Sequence, residues 1–169
     1  MNFNPWVESN SDFITNFTYI ILSGVFSDMF RIVTNLDDLI KVFIVRGIVF
    51  LEEQQVPYSI EMDGYEYGAL HILGEIESEP IASGRLRFSG EWAKLERIAV
   101  RKQYRNKGFG HQLVEYLLQV ARQRDFRKFK MHAQVQLRDY YAKHGFKVQG
   151  DKFKEANIDH YLMIREDRN

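Results

Sequence analysis

Leu95-Glu96-Arg97-Ile98-Ala99-Val100, followed by Arg101-Lys102-Gln103-Tyr104 and then Arg105-Asn106-Lys107-Gly108-Phe109-Gly110, is the stretch whose reading decides the fold. Its first part closes an alternating run from Lys94 to Val100, which predicts a β-strand. Beyond the glycines, Leu113, Leu117, Val120 and Ala121 fall on one side of a helical repeat and Gln112, Glu115, Gln119 and Arg122 on the other. A strand, a glycine turn and a helix start bring unpaired backbone N–H groups and the positive helix end to one point, which suits an anion. Gly108 and Gly110 permit close backbone approach, and Arg105 and Lys107 add cations for phosphates. A nucleoside-triphosphate loop does not fit, because no Gly-Lys-Ser/Thr follows, and G-x-G-x-x-G is missing as well.

Upstream, Leu70–Ile76, Ile81–Phe88 and Lys94–Val100 read as three strands separated by spacers short enough for hairpins. An antiparallel meander ahead of the turn argues against a dinucleotide fold. Downstream, Phe129–Ala133 is a further strand, reached by a crossover helix of the length a parallel pair needs. A second helix carries Leu137, Tyr140 and Tyr141, with Gly145 placed to stop it, and runs around Phe146 and Tyr161–Ile164 close the sheet.

Nearer the start, Phe30–Val33 predicts a strand and Asn35 caps a helix that runs to Leu51 and is closed off by Pro57. Val56–Gly68 has neither period and reads as a loop. Residues 1–28 form an N-terminal extension without basic groups, in which Phe13, Phe17 and Ile20/Ile21 suit a short amphipathic helix packed on the domain or on a second subunit, as in a homodimer. The expectation is one α/β (α+β) domain over residues 29–169, a mixed and mostly antiparallel sheet flanked by helices.

The composition narrows the chemistry. Lysines and arginines number 23, as do aspartates and glutamates, so no global field draws the chain to nucleic acid or an acidic membrane, and an anion must be held locally. There is no cysteine, which excludes a thiol nucleophile and a Cys-ligated metal. The apolar run Phe17–Phe26 is too short to span a bilayer and no Lys or Arg precedes Arg31, so a cytoplasmic protein without a membrane partner is expected.

The turn, with Leu95–Val100 before it, resembles the signature Arg/Gln-x-x-Gly-x-Gly/Ala of the GCN5-related N-acetyltransferase (GNAT) superfamily. Val49-Phe50-Leu51-Glu52-Glu53-Gln54, Glu61-Met62-Asp63, His132-Ala133-Gln134, Tyr141-Ala142-Lys143-His144-Gly145-Phe146 and His160-Tyr161-Leu162-Met163 further resemble its ElaA/YjcF-type branch, over about residues 29–166. The resemblance implies a splayed sheet with acetyl-CoA between the strand ending at Val100 and the strand Phe129–Ala133. It implies that the backbone of Ile98 and Val100 pairs with the pantetheine arm, and that Arg105, Asn106, Lys107, Gly108, Phe109 and Gly110 surround the pyrophosphate. It also implies a tyrosine acid for the departing thiolate at Tyr141, with Tyr140 the alternative because helix phase is loose there.

Transfer to a small-molecule or peptide amine needs a base, and Glu96 is the candidate. In an ideal strand it shares a face with Ile98 and Val100, where apolar neighbours would raise its pKa; a bulge would reverse that facing, and Arg97 next door would make it an ion-pair residue. Glu53, Glu61 and Asp63, with Glu66, either draw a cationic amine or form a solvated loop. His71, His132 and His160 either line the acceptor pocket or are structural; their spacing makes no metal site, and no metal is expected. Direct transfer from acetyl-CoA is the leading expectation, with an inactive acyl-CoA sensor or interaction module as its rival.

Overall fold

The computed structural model describes residues 29–168. β1 (Phe30–Ile32) leads to Asn35, whose side chain accepts a hydrogen bond from the Asp38 N–H at 2.9 Å and so caps α1 (Leu36–Arg46). The helix runs on into a wider π-helical winding, Gly47–Glu53. The stretch expected to be a loop contains one helical turn, α2 (Tyr58–Glu61). The helix expected within residues 1–28 lies outside the described residues.

β2 (Leu70–Ile76), β3 (Glu79–Ser89) and β4 (Trp92–Val100) form the antiparallel meander. A 3-10 turn (Lys102–Tyr104) and the glycine turn follow, then α3 (Phe109–Arg122) and β5 (Lys128–Gln134), which pairs parallel with β4. A second 3-10 turn (Val135–Leu137) leads into α4 (Arg138–Ala142), stopped by Gly145 at φ 77°. β6 (Lys147–Glu155) and β7 (Ile158–Glu166) close a seven-stranded sheet of order β1-β2-β3-β4-β5-β7-β6.

The sheet has two unlike faces. On one, Leu113, Leu117 and Leu118 of α3 bury Ile72, Leu86, Leu95 and Phe129 in the main core. Gly84 lets the helix come this close, since a Cβ there would stand 2.9 Å from Leu117 Cδ1. On the other face α1 and its π-helical continuation set Val45 and Val49 against Ala99.

β4 changes face part-way. Ser83 pairs with Ala99 and Arg85 with Glu96, so Gly84 alone opposes Arg97 and Ile98, and Arg97 takes φ 52°. This is a β-bulge, and the extra residue shifts the side-chain alternation by one. Ala93 and Leu95 before it, and Ile98 and Val100 after it, all pack on the α3 side.

Candidate active site

β4 and β5 pair at only three positions, Trp92–Lys128, Ala93–Phe129 and Lys94–Lys130, and then part. Their continuations toward Val100 and Gln134 wall a cavity of about 430 Å³. Parted strands leave the facing backbone groups of β4 without a ladder partner, a strip with which an extended amide chain can pair. Ile98 and Val100 both line it.

At the far end of β4 the chain reaches the turn. Asn106 and Gly108 adopt φ 60° and 80°, and Gly108 begins α3 with no side chain capping the helix start. The first intrahelical bond runs from the Gln112 N–H to the Gly108 carbonyl at 3.1 Å. The N–H groups of Phe109, Gly110 and His111 therefore precede the helical ladder, as an anion site requires. Arg105 folds back toward the cavity: its Nε donates to the Val100 carbonyl at 2.9 Å and its Nη2 to Glu53 Oε2 at 2.7 Å. Glu53, expected to draw the amine, lies in the cavity wall but with its carboxylate on Arg105.

The bulge corrects the expectation for Glu96. The residue lines the cavity but does not share the face of Ile98 and Val100; it lies beside its hairpin partner Arg85 on the α1 side. Its Oε2 accepts from Arg85 Nε at 3.1 Å and Arg87 Nε at 2.7 Å, while its Oε1 accepts from Arg87 Nη2 at 2.9 Å and Lys94 Nζ at 2.8 Å. With Arg85 Nη2 also 2.8 Å from Oε2, nitrogens from three cations occupy the lone-pair sites of this carboxylate. Burial alone would push this carboxyl up; the bonds from Arg87 and Lys94 and the charge of Arg85 outweigh it and hold the group at about 2. A raised-pKa base is thus replaced by a saturated anion.

The loop acids meet the same fate. Arg85 Nη2 holds Asp63 at 2.6 Å, Arg97 Nε lies 2.7 Å from Glu61 Oε2, and Arg46 Nη2 lies 3.0 Å from Glu66. Burial pushes the Glu61 carboxyl up against the pull of Arg46 and Arg97. Glu61 reaches the cavity wall, whereas Asp63 and His71 do not line it. His71 Nε2 lies 2.9 Å from the Glu66 carbonyl, and burial lowers its pKa. These acids clamp the loop to the sheet; a neutralised carboxylate has little field left for a cationic amine.

Tyr141 and Tyr140 are separated by the structure. Tyr141 lines the cavity, while Tyr140 lies against the His111 ring, centroids 4.4 Å apart. Burial pushes the Tyr141 phenol up, so it keeps its proton. Across from Glu96, His132 Nδ1 lies 2.8 Å from Glu155 Oε2, and both residues line the cavity with His160. Among the described residues there is no cluster of three or more His, Asp or Glu placed to hold a metal, and no helix long and apolar enough to cross a membrane.

Parted parallel strands that lead to a glycine-led helix start are matched by a family model: residues 49–166 fit the acetyltransferase (GNAT) domain. The chain belongs to the GNAT family. It is 35% identical over 136 residues to the uncharacterized N-acetyltransferase YjcF of Bacillus subtilis, covering 80% of this chain and 97% of YjcF. Escherichia coli ElaA shares its fold with a TM-score of 0.74 at 24% identity, over 81% of this chain and 98% of ElaA. A GNAT family acetyltransferase from Elizabethkingia anophelis, with acetyl-CoA bound, matches at a TM-score of 0.60 and 18% identity, over 82% and 99% of the two chains. The protein is accordingly a GNAT acyl-CoA-dependent N-acetyltransferase of the ElaA/YjcF-like branch.

Sequence reasoning missed part of this GNAT site, namely Arg85, Arg87 and Lys94 around Glu96, and Glu155 beside His132. Lys94 was findable by alternation, two residues before Glu96, but the arginines were hidden by one residue of register. The spacer Ser89-Gly90-Glu91 would set Arg87 against Ala93, whereas the two-residue turn Gly90-Glu91 sets Arg87 against Lys94 and Arg85 against Glu96. Glu155 had no such signal, because it arrives from a strand 23 residues away from His132.

Proposed function

We propose that the protein transfers an acetyl group directly from acetyl-CoA to a primary amine held in the cavity between β4 and β5. The observation that carries this reading is the parting of β4 from β5 after Lys94, which opens a cleft leading to the uncapped start of α3. Ile98 and Val100 offer their backbone to the pantetheine amides. The turn from Arg105 through Asn106, Lys107, Gly108 and Phe109 to Gly110 takes the pyrophosphate, with Arg105 exchanging Glu53 for phosphate oxygens.

Tyr141 supplies the proton to the departing sulfur, since its burial keeps the phenol protonated. Backbone N–H groups at the end of β4 stabilise the charge that develops on the carbonyl oxygen. Glu96 fixes Arg85, Arg87 and Lys94 at the acceptor end of the cavity. With no cysteine in the chain, both substrates are bound together. Initial-rate kinetics with an amine that turns over should give intersecting patterns; a ping-pong pattern with an isolable acetyl-enzyme would sink the proposal.

A further inference from the structure

We infer that His132, oriented by Glu155, is the group that takes the proton from the acceptor ammonium, in place of the β4 glutamate. The inference rests on the transfer reading above and names the missing base of that same site. Two geometric facts carry it. The first is that Glu96 has both carboxylate oxygens engaged by Arg85, Arg87 and Lys94 at 2.7–3.1 Å. A carboxylate with its acceptor sites filled has no place for an incoming proton unless a cation is expelled.

The second fact is the dyad on the opposite wall. His132 comes two residues after Lys130, the last β5 residue paired with β4, and so stands where β5 has parted from β4 while still paired with Leu162 of β7. Its Nδ1 is 2.8 Å from Glu155 Oε2, and an ionised carboxylate only accepts, so Nδ1 carries the hydrogen. The neutral ring then has its lone pair on Nε2. The bond from His132 lowers the Glu155 pKa, and Glu155 in turn faces the positive charge an imidazolium would carry. Side chains of His132 and Glu155 are 33% and 45% exposed, which leaves the dyad open to an acceptor and to water.

The remaining charged groups on the cavity wall are accounted for. Lys94, Glu96 and Arg97 come from β4, Glu61 from α2, Glu53 from the π-helical segment, Arg105 from the turn and His160 from β7. Glu53, Glu61 and Glu96 all accept from arginines, Glu61 from Arg46. His160 lies with Nδ1 2.9 Å from the Ile158 carbonyl, whereas the Glu155 carboxylate is hydrogen-bonded to His132. Phe153 sits between the two rings, with centroids 4.9 Å from His132 and 6.0 Å from His160.

The protons balance in two steps. His132 Nε2 takes one proton from the ammonium and releases it to water, leaving a neutral amine. The amine nitrogen then forms the C–N bond as the C–S bond breaks. Tyr141 gives its proton to sulfur and recovers one from the new amide nitrogen, so one proton is released per turnover.

The test is the pH dependence of kcat/KM for CoA release from acetyl-CoA with spermidine, glucosamine and a lysine peptide as acceptors. A thiol reagent reads the product without background, because the protein has no cysteine. The wild type should lose activity on the acid side as an imidazole protonates. His132→Gln should lower kcat by about 10²-fold or more, abolish that limb, and leave KM for acetyl-CoA and the thermal midpoint near wild type. Glu155→Gln should keep the limb but move it to lower pH, since an imidazolium without its counter-charge is less stable; a structural role would not move it. An unshifted limb in both variants, with wild type active, overturns the inference alone. No amine-dependent CoA release from wild type with any of the three acceptors overturns the transfer reading and this inference with it.

Discussion

Arg85 and Glu96 face each other across the β3–β4 ladder, with Arg85 Nη2 2.8 Å from Glu96 Oε2 and the arginine side chain fully buried. The pair makes Glu96 a pH-dependent part of the fold. Its folded pKa, about 2, lies below the ordinary glutamate value of about 4.3. The stability it contributes is therefore complete above that unfolded value and is lost as pH falls toward the folded one. Glu96→Gln should flatten the acid side of the stability curve while lowering stability at neutral pH. Urea unfolding at pH 7, 4 and 3 measures both.

Arg85 serves three carboxylates: Asp63 at 2.6 Å, Glu66 at 3.2 Å and Glu96 at 2.8 Å. Arg85→Ala should cost about 3–5 kcal/mol, because it strands buried anions rather than removing one contact. Denaturant midpoints should show it to be more damaging than Asp63→Asn, and limited proteolysis should find new cleavage between residues 54 and 68, whose anchor is lost.

Gly108 stands at φ 80°, and a methyl group on its Cα would have only Gln112 Nε2 nearby, at 3.8 Å, so the penalty for a side chain there is conformational rather than steric. Gly108→Ala should cost about 1–2 kcal/mol of local strain and turn the first N–H groups of α3 off the pyrophosphate. Wild type in CoA at a hundredfold excess over its Kd should gain about 2.7 kcal/mol; the variant should gain clearly less at that concentration. Thermal melts with and without CoA decide it.

Tyr141→Phe keeps the ring that packs edge-on against Tyr140, centroids 5.0 Å apart, and removes only the hydroxyl. Turnover should drop by about 10²-fold with KM for acetyl-CoA unchanged. Tyr140→Phe should leave turnover near wild type, as its ring lies on His111 and outside the cavity. Steady-state kinetics on the two variants separate the hydroxyls.

Much of the fold was legible because its signals are local. The alternation of Leu70–Ile76 and Lys94–Val100, the Asn35 cap and the α3 stripe of Leu113 and Leu117 each lie within one element. The turn at Gly108 was legible for the same reason. The surroundings of Glu96 were not, since its character depends on a bulge beginning at the next residue and on cations from the neighbouring strand. An ideal strand put Ile98 and Val100 beside it; the bulge removed them and the pairing with β3 put Arg85 and Arg87 there, next to Lys94 of its own strand. Likewise Glu61 and Asp63 read as free loop charges until Arg97 and Arg85 reached them from the sheet.

The bulge at Arg97 also sets where this chain tolerates a change of length. The tight turns Glu77–Ser78 and Gly90–Glu91 join strands at the sheet's rim, where an inserted residue only lengthens a solvent-facing connection. Between Glu96 and Ala99 one residue more or fewer would exchange inside for outside in everything that follows: Ile98 and Val100 would swing away from α3, and Ala99 would lose its place under Val45 and Val49. The middle of β4 thus acts as a counting device, and natural or designed length variants should accumulate at the rim and be missing here.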